Sequence, residues 1–323
     1  MKLLKYLTLI FIAGMTCSCH SKNKKNIPVI GFVDAFEDVT LAPARTGFID
    51  ALKKNGFSEA KKNIKIEYRN AQNSPTTLLQ IVNYFISEKV DLMATCPTAS
   101  SIAAAQRTKT IPIFVMVSPT VKLMNLNSTN GNGPGNLFGA VEDINYIDTS
   151  YAIIAKVLKP KSNKLVVGLI YDESEPQSVD ARKRIEFLSS KLNIQLEALP
   201  LNSSADAQLV TQSLLNKNLD AFFALPDDKV FDSFATILKN CDQKGVPVFT
   251  SEAGLVQRGA VAAFGADIYQ WGFQAGEQAA LYLKNHSTTG LQPEMVKVRN
   301  RVYNPAAAKK YHIIIPSNFE AVK

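Results

Sequence analysis

Metal-ligating and nucleophilic residues are scarce in this chain, and what is missing narrows its chemistry first. The three histidines, His20, His286 and His312, stand far apart with no ligand spacing, so no metal site is expected. Of the four cysteines, Cys17 and Cys19 lie in the leader. Cys96 and Cys241 remain in the body, where their spacing asks for no disulfide. There is no G-x-S-x-G elbow, Walker loop, H-E-x-x-H or dinucleotide fingerprint. Gly131, Gly133 and Gly135 have the wrong spacing for a phosphate loop. Carboxylates are plentiful, yet no histidine joins them, so neither an enzyme nor a cofactor is expected.

Basic clustering is also missing. The net charge of +8 is spread along the chain apart from Lys22, Lys24 and Lys25. A nucleic-acid binder would gather Lys and Arg on one element and interleave aromatics, so nucleic acid is not an expected partner. Nor is any run long enough to span a bilayer, which needs roughly 20 apolar residues. The apolar segment Leu7 to Met15 follows a basic start, Met1 to Lys5, and precedes TCSC at 16–19. That layout resembles a bacterial lipoprotein signal. Cys19, behind Ser18, is the expected lipidated residue and Cys17 the alternative. Thr16 stands where a Leu is usual, which keeps plain secretory cleavage open. Residues 1–19 are thus expected to be a signal peptide and 20–26, HSKNKKN, a flexible tether. An exported body, lipid-anchored to a membrane and facing the periplasm or exterior, follows from this.

What is present is repeated α/β patterning. The stretch from Asp91 to Pro119 reads as an apolar strand, a turn at Cys96-Pro97, a helix opened by Thr98 and a second strand, Ile113 to Val117. The same recipe returns over residues 220–250. Asp91 and Pro97 answer to Asp220 and Pro226 at one offset, Pro112 answers to Pro247, and Gly31 answers to Gly168. The spacing further predicts strands at 29–33, 64–68, 137–141, 165–170, 194–199 and 259–265. Helices are predicted from Pro43 to Asn55, from Pro75 under a Ser74 cap with Leu78, Leu79, Val82, Phe85 and Ile86 buried, and over 148–158, 177–192 and 269–284. A β segment at 293–302 and a final edge strand at 310–316 complete the reading. The fold class is α/β: two similar doubly wound parallel-sheet lobes joined by a multi-strand hinge. Lobe 1 is expected over 27–143 plus about 252–284, and lobe 2 over 144–251 plus about 285–323.

In open parallel sheets, ligands sit beyond the carboxyl ends of the strands, beside helix N-termini. Those ends carry Phe36, Glu37, Cys96, Thr98, Ala99, Ser118, Glu175, Ser178, Asp227, Asp228, Ser251, Glu252 and Asp267. Helix starts at Thr98 and Ser178 suit a carboxylate, and the acids suit an ammonium group. Each is equally a candidate helix cap. Trp271, the single tryptophan, lies in a helical run with Phe273 and Gln274 and reads as core or hinge packing rather than a stacking platform.

The segments ARTGFIDALKKNGF (44–57), NIKIEYRNAQNSPTTL (63–78), KVDLMATCPTASSIAAAQRTKTIPIFV (89–115), GNLFGA (135–140), VPVFTSEAGLVQRGAVAAFGADIYQWGFQAGEQA (246–279) and YNPAAAKKYHIIIP (303–316) together resemble one family. It is the ABC-transporter substrate-binding lipoproteins of the tryptophan- and tyrosine-binding type, with the periplasmic-binding-protein type I fold. The resemblance implies a monomeric receptor that closes on a small molecule, commonly an amino acid, and delivers it to an ABC permease with its ATPase. It places ligand loops on Cys96–Ala99, Ser118, Glu175–Ser178, Asp227-Asp228, Ser251-Glu252 and Asp267. Three positions depart from the common pattern: Cys96 replaces Thr, Ser118 replaces Asp and Asp228 replaces Asn. Those departures touch the cleft, so the family's ligand does not carry over; for a zwitterionic ligand, the carboxylate is expected at the Thr98 helix start with Ser118 or Ser178, and the ammonium at Asp228 or Asp267. A ligand-sensing lipoprotein feeding a signalling partner is the alternative role, with an exported enzyme a more distant one.

Overall fold

The first strand, β1 (Val29–Asp34), has a fully buried interior, and a strand buried on both faces needs helices above and below it. They follow in order in the computed structural model, which describes residues 27–126 and 133–322. Cys19, the signal and the tether lie outside those residues. Helix α1 (Ala42–Lys54) carries a proline in its first turn and leads to β2 (Lys65–Asn70). Helix α2 (Pro75–Ser87) is capped by Ser74, whose Oγ accepts the Thr77 N–H, a contact worth about 1 kcal/mol. Its buried stripe is Leu78, Ile81, Val82 and Phe85, with Leu79 and Ile86 only half-buried, so the helix is turned slightly from the predicted face. Then come β3 (Leu92–Cys96), α3 (Thr98–Arg107), β4 (Ile113–Val115) and β5 (Leu137–Val141).

The second lobe repeats the pattern through α4 (Tyr146–Val157), β6 (Leu165–Tyr171), α5 (Pro176–Leu192), β7 (Ile194–Pro200), α6 (Ala207–Leu215), β8 (Ala221–Ala224), α7 (Asp228–Gln243) and β9 (Val248–Thr250). The chain closes with α8 (Ala253–Gln257), β10 (Ala262–Ala266), α9 (Ile268–Asn285), β11 (Glu294–Met295), β12 (Arg299–Tyr303), α10 (Pro305–Lys310) and β13 (Glu320–Ala321). The first sheet runs β11-β5-β4-β3-β1-β2 and the second β7-β6-β8-β9, with parallel pairing throughout both. A small sheet, β10-β12-β13, abuts β9 through the Val261 N–H, which donates to the Val248 carbonyl at 2.7 Å.

The residues that echo between the halves do the same work twice. The Asp91 carboxylate accepts the Val29 N–H at 2.7 Å and the Asp220 carboxylate accepts the Val166 N–H at 2.9 Å. Each acid thereby pins the start of its own strand to the neighbouring one. Gly31 and Gly168 each leave room for an apolar side chain. A Cβ there would lie 2.8 Å from the Phe85 ring and 2.3 Å from Leu219, respectively.

Three expectations need correction. Residues 310–316 form no strand: Asn304 caps α10 by accepting the Ala307 N–H, the alanines that follow favour helix, and the last strand is β13. The lobe boundaries also move. β10 joins lobe 2 by pairing with β12 and bonding β9, although its apolar run reads like one more lobe 1 strand. β11 pairs with β5 and so belongs to lobe 1. The crossings therefore fall after β5, at Asp267 and between β11 and β12. They are laced together: Arg299 makes a two-pronged pair with the buried Glu142 carboxylate, at 2.7 and 2.6 Å. Asp267 accepts from Asn300 Nδ2 at 3.0 Å and donates its N–H to the Val298 carbonyl at 3.0 Å.

Candidate ligand cleft between the lobes

The carboxyl ends of both parallel sheets face one another, as the topology requires. Three side chains donate across the facing loops. The Thr98 hydroxyl donates to Gln177 Oε1 at 3.3 Å, Asn73 Nδ2 donates to Asp232 Oδ2 at 2.7 Å, and Arg258 Nη1 donates to Asp38 Oδ2 at 2.7 Å and Thr40 Oγ1 at 3.0 Å. A further approach lies deeper: the Asp228 carboxyl, at the head of α7, faces the backbone N–H of Ala99 at the head of α3, which favours its ionised form. A lobe 2 acid thus sits on a lobe 1 helix N-terminus, where the positive end of the backbone dipole favours it. The lobes are closed on each other.

Two spaces remain between them. The inner one, about 20 Å³, is walled by Thr98, Gln177 and Asp228, by the carboxyl of Glu252, and by the aromatic rings of Tyr146, Phe231 and Trp271. Val117 completes this wall with a φ of 49°, a left-handed backbone that costs a β-branched residue energy and marks a place where geometry is held against local preference. The outer chamber, about 630 Å³, opens beside it between α2 and α3 on one side and α5 and α7 on the other.

The inner wall holds two carboxyls and no cation. Burial pushes the Glu252 carboxyl up to about 7, although Tyr146 and Ser251 hydroxyls donate to it at 2.8 and 3.1 Å. Burial likewise raises Asp228 to about 7, with the neighbouring Asp227 adding to the effect. The Tyr146 hydroxyl is raised too, by burial and then by Glu252. Carboxyls held this way are short of positive charge, and a cation brought beside them would be welcomed.

The structure sorts the sequence candidates into groups. Thr98, Asp228 and Glu252 line the inner cavity. Phe36, Ala99 and Glu175 line the outer chamber, which Thr98 and Asp228 also border. Glu37 is exposed on the β1 loop, away from both spaces. Six others are occupied with scaffolding. Ser178 donates to the buried Asp227 carboxylate, which also accepts the Asp172 and Val230 N–H groups. Ser118 is buried in a hydroxyl chain with Ser101 and Thr95, at 2.7 and 2.9 Å. Asp267 caps α9 by accepting the Gln270 N–H and ties the hinge. Ser251 is wholly buried behind Glu252, and Cys96 is a buried free thiol raised by burial. Ser178 and Asp267 are therefore engaged elsewhere in the expected ligand poses, and the Thr98 helix start is met by Asp228.

Tyr146 and Phe231 escaped the sequence reading because each looks like a core residue at helical spacing, and Gln177 fell only within the implied loop Glu175–Ser178. Trp271 is hinge packing, as read, since its Nε1 donates to the Ala140 carbonyl at 2.7 Å. It also presents its ring to the inner cavity. Residue type alone, an aromatic within the first turn of a helix that starts at a strand end, was the available signal.

Two parallel α/β lobes, three crossings and a closed cleft walled by acids and aromatic rings define a two-lobed solute receptor. The family model described as ABC transporter substrate binding protein matches residues 13–322, and the chain belongs to that family. It is 32% identical over 268 residues to the tyrosine-binding protein of Clostridioides difficile (strain R20291), covering 83% of this chain and 75% of the relative. A conserved domain protein of Vibrio cholerae superposes with a TM-score of 0.83 at 27% identity, over 92% of this chain and 100% of that one. An ABC domain from Streptococcus pneumonia in complex with L-Trp superposes with a TM-score of 0.82 at 18% identity, over 92% of this chain and 99% of that one, which shows the shared fold. Among the described residues no helix is long and apolar enough to cross a membrane, and no cluster of His, Cys, Asp and Glu fits a metal. The family and fold are those of solute-binding proteins rather than enzymes.

Proposed function

We propose that this protein is the extracytoplasmic receptor of an ABC importer and binds an amino acid, aromatic ones foremost, in the inner cavity. The observation that carries this reading is the unbalanced pair of buried carboxyls, Asp228 and Glu252, among three aromatic rings. An ammonium group supplies the missing charge at Glu252, where the Tyr146 hydroxyl already marks the donor direction. The ligand carboxylate meets the Thr98 hydroxyl and the Gln177 amide, two groups that bond each other across the closed cleft. Trp271, Phe231 and Tyr146 flank the side chain. Asp228 acts as a latch, holding the lobes shut from the α3 N-terminus. The tyrosine-binding relative supports the same ligand class.

An inner cavity of about 20 Å³ has room for about one water, which needs roughly 10–15 Å³, so the lobes part to admit an amino acid and stand further apart once it is held. Closure about the laced hinge then buries it. Anchoring through Cys19 would keep the receptor beside its permease, and a monomer suffices for the hand-over.

The test is a thermal-shift screen of protein unfolded and refolded to strip any carried solute, against the common amino acids, sugars and nucleosides. A ligand at 100 times its Kd adds ~2.7 kcal/mol, enough to raise the midpoint by several degrees. The reading expects an aromatic amino acid to stand out. A sugar or nucleoside alone would overturn the ligand class.

A further inference from the structure

The loop after β1 meets lobe 2 away from both inter-lobe spaces, and the contact is built from both sides. On lobe 1, Asp38 forms a tight turn. Its Oδ1 accepts the Thr40 N–H at 2.7 Å, and its carbonyl accepts the Leu41 and Ala42 N–H groups at 3.1 and 2.9 Å. The Asp38 side chain is 8% exposed and Thr40 is buried, while Val39 between them is 74% exposed. The turn thus faces lobe 2 with its polar atoms. On lobe 2, Gly254 lies in α8 and Arg258 caps its end four residues on, which sets both on one face. A Cβ on Gly254 would lie 2.1 Å from the Thr40 methyl carbon, so the glycine lets the turn seat. Arg258 Nη1 donates to Asp38 Oδ2 at 2.7 Å, to Thr40 Oγ1 at 3.0 Å and to the Phe231 carbonyl at 3.4 Å. Its guanidinium also lies 5.1 Å from the centre of the Phe234 ring. Among the described residues this is the ion pair that joins the lobes outside the hinge, and its burial limits screening by salt. Arg258, Asp38 and Thr40 line neither the inner cavity nor the outer chamber. Two inner-wall residues are nonetheless tied to the contact: Glu252 is the N-cap of α8, and Phe231 is held by its carbonyl.

We propose that Arg258 is a clasp that sets how long the lobes stay closed. Its partners belong to different lobes, so opening breaks the ion pair to Asp38 and the hydrogen bond to Thr40 together, and closure remakes both. Helix α8 is one short rod with Glu252 at one end and Arg258 at the other. A clasp made at the far end therefore fixes the acid of the inner wall, and the Phe231 ring is fixed through its carbonyl. Arg258 is a positioning residue: it touches no solute and acts through Glu252 and Phe231. The clasp does not depend on what the inner cavity holds, whereas its effect on an amino acid rests on the reading of that cavity.

Two measurements test this. Spin labels on Asn83→Cys in α2 and Leu209→Cys in α6, both exposed positions, report the distance between lobes in the refolded protein without solute. The native Cys96 and Cys241 are buried and escape labelling. The expected result is a short and a long distance, with the closed-to-open ratio lowered roughly tenfold or more in Arg258→Gln and in Asp38→Asn. Equal distributions in parent and variants, or a parent showing the long distance alone, would overturn the clasp. L-tyrosine is the probe for coupling, followed by stopped-flow fluorescence of Trp271, the single tryptophan. Arg258→Gln should speed dissociation roughly tenfold or more and leave association within about threefold. Arg258→Lys should recover part of the loss, and the double variant with Asp38→Asn should dissociate no faster than either single one. Additive effects of the two single variants, or unchanged dissociation, would overturn the coupling. Failure of L-tyrosine, L-tryptophan and L-phenylalanine to bind at all, with the closed share still lower in the variants, would sink the reading of the inner cavity and leave the clasp standing.

Discussion

At the scale of single residues, one type at a strand end holds two different roles. Ser178 and Asp227 have the composition of a ligand loop, but they bond each other and the Asp172 and Val230 N–H groups. Glu252 and Asp228 face the cleft, and burial keeps their carboxyls up to about 7. Ser178→Ala separates the two roles. It strips a donor from a buried carboxylate, so it should cost about 1–3 kcal/mol of stability by denaturant titration while leaving ligand affinity within twofold. A large loss of affinity with unchanged stability would return Ser178 to the ligand site. The sequence shows both pairs as polar residues beyond strands. Which of them turns inward depends on partners more than forty residues away, such as Asp227 for Ser178 and Tyr146 for Glu252. Pattern along the chain carries no trace of those distances.

Among the elements, the packing of α9 on α1 is the most extensive helix pairing and rests on small residues. A Cβ on Gly272 would fall 1.8 Å from the Ala44 carbonyl oxygen, and one on Gly47 would fall 2.0 Å from that of Tyr269. Backbone meets backbone there, and neither can give way. Overpacking commonly costs 1–3 kcal/mol. Gly272→Ala should therefore lower stability by at least that much and displace Trp271 from Ala140, lowering ligand affinity as well. A variant as stable as the parent would show that the helices do not approach this closely. Strands and helices themselves were largely legible, because Ser74-Pro75, Asn55-Gly56 and the doubled Asp and Gly positions mark where elements begin, pair and end. The exceptions have local causes. Residues 310–316 look like an edge strand by their isoleucines, yet the Asn304-Pro305 cap starts a helix just before them. β10 is apolar like its neighbours, so only pairing with β12 reveals its lobe.

At the scale of the whole molecule, several buried acids tie stability to pH. Asp34, Asp228 and Glu252 ordinarily lose their protons near 4, and burial raises each to about 7 in the folded chain. The folded state then binds more protons than the unfolded chain between those values. Their contribution is fully present below about pH 4 and is lost as pH rises toward 7. Denaturant titrations of the stripped protein should accordingly give lower stability at pH 7.5 than at pH 5.5. An increase over that range would contradict the burial described here. Ligand should oppose the trend, because an ammonium group stabilises the ionised form of Glu252.

The central claim is that an ammonium group is held by Glu252 between the closed lobes. Its most direct test is calorimetric titration of the strongest amino-acid ligand into the refolded protein and into its Glu252→Gln variant at pH 7.5. Removing the charge from a buried pair costs about 2 kcal/mol or more. The predicted result is one-to-one binding that the variant weakens at least about 30-fold, with its melting temperature unchanged or raised. Equal affinity in both proteins would place the ligand's charge elsewhere and contradict the account.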